Sequence, residues 1–134
     1  MRLAVFSDVH GNLSALEAVL ADIALESVDK IVFAGDLCLF GPRPAECVDV
    51  VRDLDCASIY GNTEDWLLGR QTPPAHFADL ATWTYARLDE GQRTWLDSLP
   101  FEYTISLAGG EVDSLLVVHA NPIDVNQIIF PPEV

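Results

Sequence analysis

Basic residues are scarce in this chain. Only 7 Lys and Arg residues stand against 21 Asp and Glu residues, which gives a formal net charge of −14 over 134 residues. Nucleic acid and anionic membranes present negatively charged groups that proteins bind mainly through Lys and Arg. We therefore expect no nucleic-acid and no membrane partner, and we expect most of the acidic residues to lie on a solvated surface.

Cysteine motifs and long apolar runs are also missing. Cys38, Cys47 and Cys56 show no C-x-x-C spacing, so the sequence predicts buried thiols rather than a zinc cluster or a disulfide framework. No apolar run approaches the roughly 20 residues of a membrane span, and the N-terminus lacks the pattern of a signal peptide. The expectation is one globular domain in the cytoplasm.

Apolar runs alternate with helical patterns in the first half of the chain. Arg2–Phe6, Lys30–Ala34 and Cys56–Tyr60 are predicted strands, with a helix capped by Asn12 after the first and a helix opened by Pro44 after the second. This β-α-β-α-β order requires right-handed crossovers and a largely parallel sheet. Functional residues of such sheets gather beyond the C-terminal ends of the strands.

The second half of the chain combines a helical segment with a hairpin. Residues Asp65–Ser98 show a helical pattern interrupted by Pro and Gly, which predicts a helical insertion. Glu102–Leu107 and Ser114–Val118, joined by Ala108-Gly109-Gly110, predict an antiparallel hairpin. The tryptophans are expected to be core residues: Trp66, Trp83 and Trp95.

Short polar clusters follow the predicted strands. They contain Asp8, His10, Asp36, Asn62 and His119. Their side chains would place carboxylate, imidazole and amide groups at one rim of the sheet. A pair of divalent metals that accept both oxygen and nitrogen ligands would need these groups. A single Asp at a strand end more often caps the following helix. The metal hypothesis therefore depends on the whole set and its order.

These clusters resemble the pattern of the calcineurin-like metallophosphoesterases, which runs D-x-H, G-D, G-N-x-[DE], a strand-end His and G-H-x-H. The first four blocks are matched in order by Asp8-Val9-His10, Gly35-Asp36, Gly61-Asn62-Thr63-Glu64 and His119. The segment from Gly35 through Phe40-Gly41-Pro42 is similar to that of the family's small bacterial branch. The resemblance covers nearly the whole chain and implies an α-β-β-α sandwich with mixed sheets and a helical insertion.

The resemblance also implies a site and a reaction. Asp36 would bridge two divalent metals (Mn, Fe, Ni, Zn or Mg), with Asp8 and His10 completing one set of protein ligands and Asn62 and His119 the other. The implied function is hydrolysis of small phosphomonoesters or phosphodiesters by a two-metal-activated hydroxide, with Asp36, His10 and Asn62 as the catalytic set. The sequence leaves the substrate open.

Two departures from the family pattern bear on activity. Thr63 stands where many relatives have a His that can protonate the leaving oxygen, so activity should favour esters with good leaving groups or take its proton from water or another residue. No G-H-x-H block is present, which would leave each metal one ligand short. We therefore expect residues 1–134 to be an incomplete single domain that lacks C-terminal strands and associates with a second copy through an exposed sheet edge.

Other interpretations of the sequence remain open. A non-catalytic interaction or scaffold module can use the same fold, and the missing fifth block favours it, whereas the intact residues of the first four blocks argue against it. A dinucleotide-binding domain would need G-x-G-x-x-G after the first strand, which this chain lacks. Glu64 and Asp65 are expected to orient a ligand or to occupy a helix N-terminus, and His76 is expected to have a surface or packing role.

Overall fold

Two sheets form the centre of the molecule. The computed structural model describes residues 1–107, 113–127 and 129. The first sheet is parallel, in the order β1-β2-β3, and the second is an antiparallel pair of β4 and β5. The strands are β1 (Leu3–Phe6), β2 (Lys30–Ala34), β3 (Ala57–Ile59), β4 (Glu102–Ser106) and β5 (Ser114–Val118).

Three of the helices begin at recognisable local signals. The Asn12 side chain accepts a hydrogen bond from the Ala15 amide at 3.1 Å, Pro44 opens the second helix, and Asp89 and Gln92 exchange hydrogen bonds at the start of the last. The helices are α1 (Leu13–Leu25), α2 (Pro44–Asp53), α3 (Asn62–Leu67), α4 (Ala78–Tyr85) and α5 (Glu90–Asp97), with a 3₁₀ turn at Ala75–Phe77. No described helix is both long and apolar enough to cross a membrane.

Two apolar cores separate three layers. Helices α1, α2 and α5 cover one face of the parallel sheet through residues that include Leu16, Val48 and Leu96. The other face packs on the β4–β5 pair through Val32, Ala34, Ile59, Ile105 and Val117. The layer order is therefore helix, sheet, sheet, and a second helical layer is absent from the part of the chain that the structure describes.

The predicted α/β class with mixed sheets is confirmed, whereas the described residues contain no second helical layer of the predicted α-β-β-α sandwich, and some element ends differ. The β-α-β-α-β unit and the hairpin strands are present, whereas the hairpin turn at 108–110 falls outside the described residues. Helix α3 begins at Asn62, earlier than the predicted helical segment, because the helix starts directly at the rim. The prediction that Trp83 is a core residue is wrong: it is 36% exposed on α4, where its ring packs under the Arg87 guanidinium.

Parallel pairing brings three loops to one rim. Phe6 lies opposite Phe33, and Ala34 lies opposite Ile59, so β1, β2 and β3 end at neighbouring points. The loop after each strand therefore begins at the same edge of the sheet. β5 ends at Val118 and delivers His119 to this edge from the second sheet.

Candidate metal centre

The loops after β1 and β2 are bonded to each other through their backbones. The amides of Asp8, His10 and Gly11 donate to carbonyl oxygens of residues 35, 36 and 37 at 2.9, 3.0 and 2.7 Å. Asp8, His10 and Asp36 all have positive φ, at 54°, 50° and 63°. This conformation is uncommon outside glycine, and its concentration in three candidate ligands indicates a backbone held to aim these side chains.

The loops approach so closely that side chains would not fit between them. A Cβ on Gly41 would lie 2.2 Å from the His10 carbonyl oxygen. A Cβ on Gly11 would lie 2.8 Å from the Cys38 carbonyl oxygen. Glycine at both positions therefore allows the backbone contact that fixes His10.

Asp8, His10 and Asp36 form a first group of candidate metal ligands (a ligand group). One ligand atom from each lies within 4.8 Å of the others. The His10 Nε2 atom is 3.6 Å from Asp8 Oδ1 and 3.8 Å from Asp36 Oδ2, which is too far for direct hydrogen bonds. The buried Nδ1 atom of the same ring has no partner among the described residues. The ring is therefore not used by protein hydrogen bonds, and the space between it and the carboxylates suits a cation.

Asn62 and His119 form a second ligand group on the other side of Asp36. The His119 Nδ1 atom lies 2.8 Å from the Ala34 carbonyl oxygen, which can only accept, so the proton belongs on Nδ1. The lone pair of Nε2 then faces Asn62 Oδ1 at 3.2 Å and Asp36 Oδ1 at 3.5 Å. Three electron-pair donors converge there, which is the donor set of a divalent metal with mixed oxygen and nitrogen preference.

Asp36 lies between the two groups. Its Oδ2 atom faces His10 and its Oδ1 atom faces His119. The side chain is almost fully buried, and Thr63 holds Oδ1 with two hydrogen bonds, from its amide at 3.0 Å and its hydroxyl at 2.9 Å. The carboxylate thus has a fixed orientation and presents one oxygen to each ligand group.

Glu64 binds three amides of the same loops. Its carboxylate accepts hydrogen bonds from Asp36 at 2.8 Å, Leu37 at 2.9 Å and Gly61 at 2.9 Å. Burial, and then repulsion by the Asp36 carboxylate, raise the pKa of Glu64 to about 7. Glu64 therefore ties the β2 loop to the start of α3, beside the Asp36 carboxylate.

Other residues singled out in the sequence have structural contacts. Thr63 is 1% exposed and turns inward to Asp36, so its hydroxyl does not face an incoming ester. Asp65 pairs with Arg70 at 3.3 Å, and His76 packs on the Phe77 ring at 4.0 Å. Burial raises the pKa of the Cys38 thiol well above its usual range, which suits the predicted inert thiol.

A cavity of about 520 Å³ adjoins both ligand groups. Trp66 contributes to its wall, whereas the sequence favoured a core role for this residue and gave no support to a substrate-stacking role. The sequence did indicate a position near the site, because Trp66 comes two residues after Glu64, on a helix that begins at the rim of the sheet. The lining residues are Asp8, Asp36, Asn62, Trp66, His119, Ala120, Val125, Asn126 and Ile129.

The fold and the site together define an α/β sandwich with Asp, His and Asn side chains gathered at its strand ends. The family model of the calcineurin-like phosphoesterases matches residues 1–133, and the chain belongs to this family. An uncharacterized protein of Methanocaldococcus jannaschii is 36% identical over 96% of this chain and 54% of its own length.

Solved structures agree with this assignment. A metallophosphoesterase from Sphaerobacter thermophilus is 37% identical and superimposes with a TM-score of 0.65 over 79% of this chain and 44% of its own. A hypothetical protein from Pyrococcus horikoshii OT3, at 19% identity, shares the fold with a TM-score of 0.84 over 98% of this chain and 60% of its own. The chain thus spans about half the length of the relatives it matches.

Proposed function

We propose that this chain hydrolyses phosphomonoesters or phosphodiesters with two divalent metals held by Asp8, His10, Asp36, Asn62 and His119. The observation that carries the proposal is the position of Asp36, whose two oxygens face different ligand groups. A carboxylate placed in this way can serve two cations at once. Membership of the calcineurin-like phosphoesterase family supports the same chemistry.

The chemistry of the donors fits such cations. Divalent metals bound there would supply positive charge for phosphoryl oxygens and would lower the pKa of a water molecule. The mixed carboxylate, amide and imidazole set admits Mn, Fe, Ni, Zn or Mg. Bound cations would also offset the repulsion between the carboxylates of Asp36 and the buried Glu64.

The protein's own groups hold the site in position. Thr63 fixes the Asp36 carboxylate, and the Ala34 carbonyl keeps the proton of His119 on Nδ1, so that Nε2 stays free to bind. Because Thr63 is buried and is no acid near neutral pH, it does not protonate a leaving alkoxide. Esters whose leaving groups need no proton should therefore react fastest.

Activated model esters test the proposal. We expect p-nitrophenyl phosphate, bis-p-nitrophenyl phosphate, or both to be hydrolysed when Mn²⁺ is added, and we expect EDTA to abolish the activity. Asp36→Asn should remove it as well, whereas His76→Ala, which alters an exposed ring outside both ligand groups, should not. A folded chain that binds no metal and hydrolyses neither ester would favour a scaffold module on this fold.

Three further predictions accompany the proposal. The chain has 21 acidic and only 7 basic residues, which argues against nucleic acid as the substrate. A cytoplasmic location remains the expectation. Association of two copies through a sheet edge also stays a prediction. The apolar side chains of Val5 on the edge strand β1 and of Leu115 and Leu116 on β5 are exposed, and such surfaces favour association.

A further inference from the structure

The cavity beside the two ligand groups is larger than a phosphate group needs. Its volume of about 520 Å³ falls in the range of roughly 300–1,000 Å³ that is typical of pockets for small organic ligands. Candidate ligands occupy one side, and Trp66, Val125 and Ile129 contribute apolar surface to the rest of the wall. The organic part of an ester bound at the ligand groups would therefore contact apolar side chains.

Trp66 is held in place by other aromatic rings. It stacks on Phe77 with ring centroids 6.1 Å apart and an angle of 23° between the planes. Phe77 in turn meets Phe40 at 4.8 Å, and Phe40 meets the His10 ring at 5.0 Å. The aromatic contacts thus run from a candidate ligand to the cavity wall. A supported indole can receive a flat ligand with little loss of side-chain freedom.

Phe40 shows that this aromatic arrangement is maintained against a backbone cost. Its φ is 89°, a conformation that is a clear outlier for a bulky residue, and its side chain is partly exposed. Such strain persists where the surrounding structure requires it, and it concentrates at ligand sites. The contact between Phe40 and Phe77 gives this conformation a role in supporting the wall that contains Trp66.

The charge of the cavity limits the number of phosphates. Its described lining contains the carboxylates of Asp8 and Asp36 and no Lys or Arg. A phosphoryl group at the two ligand groups would meet bound cations, but a second phosphate further along the cavity would meet no positive side chain from that lining. The lining is therefore suited to one phosphoryl group attached to an uncharged organic group.

We propose that the substrate carries a single phosphoryl group and a planar aromatic moiety that packs on Trp66. This inference rests on the proposed function, because the ligand groups fix the position of the phosphoryl group. Trp66 is then a specificity-determining residue that contributes to binding of the organic part. It should have little influence on how the phosphoryl group itself is held.

Non-hydrolysable phosphonates test this assignment without relying on turnover. Phenylphosphonate and methylphosphonate would be titrated into the protein at saturating Mg²⁺ by calorimetry. The unmodified protein should bind phenylphosphonate about tenfold more tightly than methylphosphonate. Trp66→Leu should remove this preference and leave methylphosphonate affinity unchanged, while Trp66→Phe should retain most of it. Trp83→Leu is the matched control, because Trp83 is outside the cavity lining, and it should change neither affinity.

A second measurement keeps the test independent of the stability of the leucine variant. In the unmodified protein, the indole N–H resonance of Trp66, assigned as the one lost in Trp66→Phe, should shift on addition of phenylphosphonate and not of methylphosphonate. The phosphate count is tested with adenosine 5′-monophosphate and adenosine 5′-diphosphate. Tighter binding of the diphosphate by about tenfold or more would contradict a site for one phosphoryl group.

The outcomes separate this inference from the proposed function. Equal affinities for the two phosphonates, or a phenyl preference that survives Trp66→Leu, would overturn the role of Trp66 while leaving metal-dependent phosphoester binding intact. Absence of binding for both phosphonates at saturating metal would contradict the proposed function and this inference together. The inference is supported if Trp66→Leu loses the preference for phenylphosphonate while Trp66→Phe and Trp83→Leu keep it.

Discussion

Gly61→Ala places a methyl group at the centre of the candidate site. Gly61 precedes α3, and a Cβ at this position would lie 2.2 Å from Asp36 Oδ1, 2.7 Å from the Asp36 amide nitrogen and 2.9 Å from His119 Cε1. The backbone of Gly61, with φ of −113° and ψ of −175°, is one that alanine adopts readily. The cost of this substitution therefore comes from the contacts alone.

The size of the effect follows from these distances. An oxygen at 2.2 Å must move by about 1 Å to reach ordinary contact, and the backbone amide behind it cannot move independently. Overpacking of this kind typically costs about 1–3 kcal/mol of unfolding free energy. A displacement of about 1 Å can also lower activity by about 10²-fold. Asp36 and His119 would move together, so metal binding should weaken as well.

Thermal or urea unfolding and metal titration measure the two effects on the same variant. Gly91→Ala is the matched control: Gly91 lies in the first turn of α5, outside both ligand groups, and an added Cβ would lie 3.3 Å from Asp89 Oδ1, so unfolding free energy should change less than in Gly61→Ala and metal affinity should stay unchanged. If Gly61→Ala keeps the stability and metal affinity of the unmodified protein, the close packing of Gly61 on Asp36 is not part of the site.

Other changes test single contacts. In metal-free protein, the pKa of Glu64 is raised to about 7, so the folded state keeps a proton at pH values at which the unfolded chain has lost it. The free energy of unfolding should therefore fall by up to about 3 kcal/mol as pH rises from about 4.5 to about 7. Glu64→Gln should flatten this part of the urea-unfolding profile, and an unchanged slope would contradict the assignment. His119→Ala should weaken metal binding by at least about tenfold in calorimetric titration, because it removes a ligand. His76→Ala should leave binding unchanged, and loss of soluble protein in His119→Ala would instead indicate a packing histidine.

Local sequence signals predicted much of the fold. The apolar runs around Lys30–Ala34 and Ser114–Val118 are strands, and Pro44 begins a helix as its fixed φ allows. Trp83 was mispredicted because burial of an aromatic ring depends on which face of α4 meets the core, and the helical pattern there was weak. The layer order also required tertiary information, since no local pattern states which sheet face receives β4 and β5.

The candidate ligands were found by their order along the chain, whereas their supporting contacts were not. Nothing in the residue types predicted that Thr63 donates twice to Asp36 or that Glu64 accepts from three amides. The bonds from Thr63 to Asp36 and from Asp36 and Leu37 to Glu64 join segments 27 or 28 residues apart and form only after the loops of β2 and β3 meet, whereas the Gly61–Glu64 bond is local. The positive φ of Asp8 could not be predicted from the sequence either, because an aspartate is compatible with several backbone conformations.

Metal stoichiometry tests the central claim most directly. The purified chain and Asp36→Asn would be titrated with Mn²⁺, with bound metal measured by elemental analysis and folding checked by circular dichroism. The amide of the variant can still accept the Thr63 hydrogen bonds through its oxygen, so the fold should survive, but the charge shared by both ligand groups is lost. We expect two metals per unmodified chain at saturation. In Asp36→Asn the metal affinity should be lower by more than about 100-fold, because mutation of residues that only support the ligands already lowers metal affinity by about 10–100-fold. Equal metal binding by the two proteins, or none by either, would contradict a two-metal centre bridged by Asp36.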